Sequence, residues 1–173
     1  GGWFEDVEPA ASDQVIDVNF KGVVNGVYAA LPLLKATPSA RIVNTASMAA
    51  AYGVPRMAIY SATKFAVRGL TEALDIEFKR HGIRVTSLMP WFIDTPILDG
   101  VIEGGSNEAV RENLRETTKI YPVERAAERA WEAAHGNGLH YTVGDEASRL
   151  TLLSRIFPGL VRGELSKMAM PAK

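Results

Sequence analysis

Between residues 41 and 88 the chain reads strand, long helix, glycine stop, strand, a succession that few folds accommodate. Residues 41–46 open on Ile42-Val43 and are too few for a stable helix, so they read as a buried strand. Residues 58–80 carry Phe65, Ala66, Gly69, Leu70, Ala73 and Leu74 on one stripe at helical spacing. His81-Gly82 closes that helix, with glycine just past its terminus. Residues 83–88 return to strand composition. Strand, crossover and parallel strand are connected right-handedly in about 98% of cases. A parallel sheet with flanking helices is therefore the expected frame.

The remaining segments fit around that unit. From Pro9 to Lys35 apolar or small residues recur with the helical period, among them Val15, Val18, Gly22, Val23, Gly26, Val27, Leu31 and Leu34. Pro9 suits a first helical turn, and Glu5, Asp6 and Glu8 lie near its positive end. Gly22 and Gly26 cost helix propensity, which points to close packing on that side. Residues 90–120 are glycine-rich and charged, with a short helical pattern, and read as a mobile segment. Residues 122–135 look helical and 139–143 form a third strand. Residues 1–147 thus make one domain, and 148–173 an apolar-basic helical tail interrupted at Pro158-Gly159.

Composition removes several function classes. A net charge of −1 lacks the basic footprint of a nucleic-acid binder. With no cysteine, disulfides, thiolate metal sites and cysteine nucleophiles are excluded. His81, His135 and His140 have no carboxylate or second histidine at ligand spacing, so no metal site is expected. There is no basic-then-apolar leader, and no apolar run approaches the ~20 residues of a spanning helix. The expectation is a cytoplasmic globular protein.

Topology then gathers the reactive groups. In open parallel α/β sheets, ligands bind beyond the carboxyl ends of the strands. Ser47 follows the first strand, Asp94-Thr95-Pro96 follows the second, and Tyr60 stands in the first turn of the crossover helix, which starts from that same edge. Tyr60 and Lys64 are four residues apart, about one turn or ~6 Å along the helix. An ammonium there favours the phenolate and brings a phenol of ordinary pKa ~10 nearer to proton exchange at neutral pH. Asn19 lies close to the stripe of the first helix. A buried amide must find partners, either across the helix interface or in a solvent-filled site.

At these residues the chain resembles the carboxyl-terminal part of a short-chain dehydrogenase/reductase. The matching text is Asp17-Val-Asn19-Phe-Lys-Gly22, then Arg41-Ile-Val-Asn-Thr-Ala-Ser47, then Tyr60-Ser-Ala-Thr-Lys64 with the helix that follows. It continues through Gly82-Ile-Arg-Val-Thr-Ser-Leu-Met-Pro90 to Asp94-Thr95-Pro96, and the resemblance spans about residues 3 to 143 in order. It implies a Rossmann-like α/β sheet and an NAD- or NADP-dependent oxidoreductase acting on a secondary alcohol or ketone. It also implies Tyr60 as general acid/base, Lys64 as the group that lowers the phenol's pKa and holds the nicotinamide ribose, and Ser47 as the hydroxyl that orients the substrate oxygen. Asn19 would hold a relay water. Pro90, Ile93 and Thr95 would meet the nicotinamide carboxamide and phosphates.

Relatives pair their two long helices between subunits, so a homodimer or homotetramer is implied. Trp91, Phe92, Ile97 and Leu98 hint at a lipophilic substrate. Ala46 stands where relatives often carry a second serine, and Trp91 where a glycine often follows the proline, so Trp91 is placed at the substrate pocket. The glycine-rich phosphate turn with which family members begin has no counterpart, and the three glycines of residues 100–105 read as a flexible loop. A three-strand sheet would expose an unpaired apolar edge. The natural protein is expected to be longer; the rivals are a non-catalytic binding protein of the same fold and an inactive truncated product. The tail is assigned to the core, to the substrate mouth or to a membrane surface, in that order.

Overall fold

The structure, a computed structural model, describes residues 1–100 and 114–169. Three strands, β1 (Arg41–Thr45), β2 (Arg84–Pro90) and β3 (His140–Val143), form one parallel sheet in the order β1-β2-β3. The helices are α1 (Pro9–Ile16), α2 (Gly22–Ala36), α3 (Ala58–Glu77), α4 (Val123–His135), α5 (Asp145–Ile156) and α6 (Pro158–Ala169). This is the Rossmann-like parallel arrangement expected.

Successive side chains of a strand point to opposite faces, and β2 uses both. Val85 packs with Phe78 and Ile83 against Val27, Leu31 and Leu34 of α2. Met89 packs with Ala46, Ala50 and Val67 against Phe20, Val23 and Leu150. Leu88 goes the other way, to Ala133 of α4 with Tyr141 and Val143. A strand covered on both faces shows no polar-apolar alternation, and the two polar residues buried within β2 are hydrogen-bonded, Thr86 to the Ala133 carbonyl and Ser87 to His140. Its partners are fixed in register, Arg41 opposite Arg84 and Ser87 opposite His140.

Gly82 adopts φ 67° after a tight turn over Phe78–His81, so the glycine stop is built as expected. The first long helix is not continuous, however. Between α1 and α2 the residues Asp17–Lys21 form a π-helical turn, in which the Gly22 N–H reaches back five residues to the Asp17 carbonyl. Such turns insert one residue into a helix and are frequent at functional sites. Asn19 is its central residue.

β1 has one strand neighbour among the described residues, β2, so an edge is open as expected. A cleft of about 480 Å³ lies between that edge and α2, lined by Val23, Val27, Leu34 and Ile42 and, toward the carboxyl end, by Asn19, Thr45 and Lys64. α5 begins at Asp145, straddling the expected 147/148 boundary, and buries Ala147 completely; Val161 of α6 is also buried. The glycine-rich loop after Gly100 and most of the helical pattern before residue 114 lie outside the described residues. No described helix is long and apolar enough to cross a membrane.

Candidate active site

Ser47 owes its position to the end of β1. The Ala46 N–H still donates to the Leu88 carbonyl at 2.9 Å, and Ser47 then continues extended at φ −171°, ψ 165°. The chain at once tightens into a turn over Met48–Ala50 that grips the serine twice. The Ala50 N–H donates to the Ser47 carbonyl at 3.0 Å and the Ala49 N–H to Ser47 Oγ at 3.2 Å. Ala49 and Ala50 are buried, and small side chains let the turn lie flat on the core.

Tyr60 is placed by the start of α3. The loop before it is held by the Val54 N–H donating to Ser61 Oγ at 3.1 Å. It also contains Arg56 at φ 64°, fixed by the Gly2 N–H on its carbonyl at 2.9 Å and by the Trp3 ring. The Ser47 hydroxyl faces the Tyr60 phenol closely enough to hold its pKa down. One turn on, Lys64 Nζ stands 5.5 Å from the centroid of the Tyr60 ring and donates to the Thr45 carbonyl at 3.1 Å. Serine, phenol and ammonium thus converge at the carboxyl end of β1. Asn19 reaches the same region from the helical side, lining the cleft that Lys64 and Thr45 also line.

The electrostatics correct one expectation. Burial pushes the Tyr60 phenol above its ordinary value, opposed by the Ser47 hydroxyl, and the Lys64 charge is not among the causes. The ammonium faces the ring rather than the phenol oxygen, and its hydrogen bond goes to Thr45. Burial in turn holds Lys64 below the usual lysine range. A carboxylate beside Lys64 would have opposed that shift, but burial is the one cause acting on the ammonium.

The second group of expected residues stands at the end of β2 and on the segment after it. Pro90 ends β2, and the Trp91 N–H donates to Val143 O at 3.0 Å, while its indole N–H is spent on Thr118 Oγ1 at 2.9 Å. Ile93 bridges to Tyr121, whose N–H donates to Phe92 O and whose carbonyl accepts from the Asp94 N–H. Thr95 Oγ1 donates to Ile93 O at 3.4 Å. Tyr121 is the residue that sequence reasoning missed here. Its phenol donates to Glu146 and accepts from the Asp145 N–H, tying the segment after β2 to the start of α5. Leu98, expected near a lipophilic substrate, is instead 3% exposed in the core, whereas Ile97 is exposed. Among the described residues no group of three or more His, Asp or Glu could hold a metal ion.

Two hydroxyls facing one another, with an ammonium one helical turn away, can deliver or accept a proton at an oxygen held between them. Comparison with known proteins shows the family. Residues 1–104 match the model of the short chain dehydrogenase family. The putative oxidoreductase SadH of Mycobacterium tuberculosis is 35% identical over 157 residues, which cover 88% of this chain and 55% of SadH. Oxidoreductase UcpA of Escherichia coli is 31% identical, over 91% of this chain and 59% of UcpA. A short chain dehydrogenase from Burkholderia cenocepacia in complex with NADP superposes with a TM-score of 0.80 at 25% identity, covering 95% of this chain and 64% of that one. One from Burkholderia phymatum in complex with NAD gives 0.75 at 27% identity, over 92% and 63% of the two chains. The chain therefore spans little more than half the length of the curated relatives it matches.

Proposed function

The chain belongs to the short-chain dehydrogenase family, and from that premise we propose that it forms the catalytic part of an NAD(P)-dependent oxidoreductase interconverting a secondary alcohol and a ketone. The observation that carries this reading is the convergence of Ser47, Tyr60 and Lys64 at the carboxyl end of β1. Two relatives named as oxidoreductases and neighbours that bind NADP or NAD support it.

The donor set fits the nicotinamide end of such a cofactor, since a phenol and an ammonium one turn apart suit a pair of ribose hydroxyls. When bound, the cofactor supplies or receives the hydride. Tyr60 Oη gives a proton to the substrate oxygen in reduction and takes it in oxidation. A buried phenol is protonated at neutral pH, the form an acid requires. Ser47 Oγ accepts from the Ala49 N–H, and its own proton, which faces the Tyr60 phenol, turns to the substrate oxygen where charge develops. Asn19 holds a water in the cleft behind Lys64 and links that ammonium to solvent. Pro90, Ile93 and Thr95 meet the carboxamide and phosphates, and Trp91 with exposed Ile97 gives the substrate end a lipophilic wall. Residues 1–147 form the carboxyl-terminal part of one catalytic domain, working in the cytoplasm as a homodimer or homotetramer whose subunits meet on the exposed apolar side chains Tyr28, Leu33 and Ile76 of α2 and α3.

Nicotinamide fluorescence on mixing the longer natural protein with NADH and with NADPH tests the cofactor; a response to neither overturns the oxidoreductase reading. Tyr60→Phe should abolish turnover of a secondary-alcohol panel while leaving that fluorescence response nearly intact. Retained turnover would refute the acid/base role.

A further inference from the structure

We propose that Arg68 is a positioning residue for Ser47, holding the serine's turn in place from α3; this rests on the reading of Ser47 and Tyr60 above. Arg68 touches neither hydroxyl. Its guanidinium donates to the Ala50 carbonyl at 3.0 Å. Ala50 closes the turn that grips Ser47, through its own N–H on the Ser47 carbonyl, and it is fully buried. A buried carbonyl that lost this donor would have to seek another, and the turn would move with it.

Arg68 is itself held. Its Nε donates to Glu72 Oε1 at 2.9 Å, and the same oxygen accepts from His140 Nε2 at 3.0 Å. A carboxylate only accepts, so Nε2 carries the imidazole proton and Nδ1 is free to accept. Ser87 supplies that bond from β2, at 2.8 Å and fully buried. The resulting chain runs Ser87, His140, Glu72, Arg68, Ala50 and fixes the serine turn to both β2 and β3. The side chains of Arg68 and His140 are each 15% exposed, against 44% for Glu72, so the fork is set where water competes little. A lysine at 68 could keep the charge and one of the two bonds, but not both at this geometry.

The readout is the titration of Tyr60 followed by NMR on protein labelled with ¹³Cζ-tyrosine, its signal assigned from Tyr60→Phe. Ser47→Ala removes the hydroxyl that opposes burial and should move the Tyr60 midpoint upward. Arg68→Met should move it the same way by a comparable amount, Arg68→Lys by less, and Glu72→Gln by an intermediate shift. Should Arg68→Met fail to fold, the half-exposed Glu72→Gln carries the test. A wild-type midpoint in the Arg68 or Glu72 variant, with Ser47→Ala shifted, overturns the proposal alone. Unmoved midpoints in all variants, Ser47→Ala included, remove the Ser47–Tyr60 reading and this proposal with it.

Discussion

Thr71→Val isolates one bond on which the placement of β1 against α3 depends. Asn44 of β1 is 6% exposed and Thr71 of α3 is fully buried. The Asn44 amide donates to Thr71 Oγ1 at 3.0 Å, and that hydroxyl donates to the Val67 carbonyl at 2.8 Å. Valine matches threonine in shape and branching, so neither a cavity nor more than a few tenths of a kcal/mol of helix propensity enters. The Val67 carbonyl keeps its helical partner. The Asn44 N–H is left buried without an acceptor, at a cost of about 1–3 kcal/mol. We expect about 2 kcal/mol in urea unfolding followed by circular dichroism. That corresponds to a melting point roughly 4–8 °C lower for a chain of this size. Adding Asn44→Leu should recover part of the loss, because an apolar pair leaves nothing unsatisfied. A Thr71→Val protein within about 0.3 kcal/mol of wild type, well below the range for a stranded donor, would show that Asn44 does not rely on this hydroxyl.

Gly144 and Gly82 both sit at positive φ, 98° and 67°, but only at Gly144 would an added Cβ strike a neighbour, the Tyr121 ring at 2.5 Å. Gly82→Ala should therefore cost about 1–2 kcal/mol from backbone strain alone, and Gly144→Ala clearly more, measured by the same unfolding curves. Equal losses would mean that Tyr121 moves aside freely. His140 is held below the ordinary imidazole value by burial first and by the Arg68 charge second, with Glu72 opposing. The fold thus prefers the neutral ring. Its contribution is complete above the unfolded pKa of about 6.5 and is lost as pH falls below that through the folded value. The urea midpoint should fall between pH 7 and 5, and His140→Gln should flatten that slope; parallel slopes in the two proteins would refute it.

The frame was legible because its signals are local. The stripe of α3, the glycine after it and the Ile-Val opening of β1 each lie within one element. Ser47, Tyr60 and the residues after β2 needed one further step, the rule that a parallel crossover returns its helix to the same edge. What escaped joins residues whose meeting depends on the phase of a helix against the register of a sheet. His140 lies 68 residues from Glu72, so a search for a carboxylate at ligand spacing along the chain could not find it. Tyr121 was invisible for the same reason. The π-helical turn at Asn19 was not legible in the periodicity: Val18, counted in the stripe, is 66% exposed, whereas Val23 packs on the core.

The pKa of Tyr60 shows a different kind of shortfall. Spacing along α3 correctly gave an ammonium one turn from the phenol, yet an interaction with the oxygen depends on where Nζ points. The Thr45 carbonyl draws it across the ring face, 5.5 Å from the centroid. Burial, which no spacing encodes, then dominates, since moving a phenolate out of water costs more than a charge turned toward the ring returns. The consequence for chemistry is asymmetric. The protonated phenol is ready to act as an acid, whereas acting as a base requires something to drain its proton. Ser47 is the one neighbour shown to favour the charged form. On the proposed reading, the geometry of its turn, rather than the distance to Lys64, sets how readily the phenol gives up its proton.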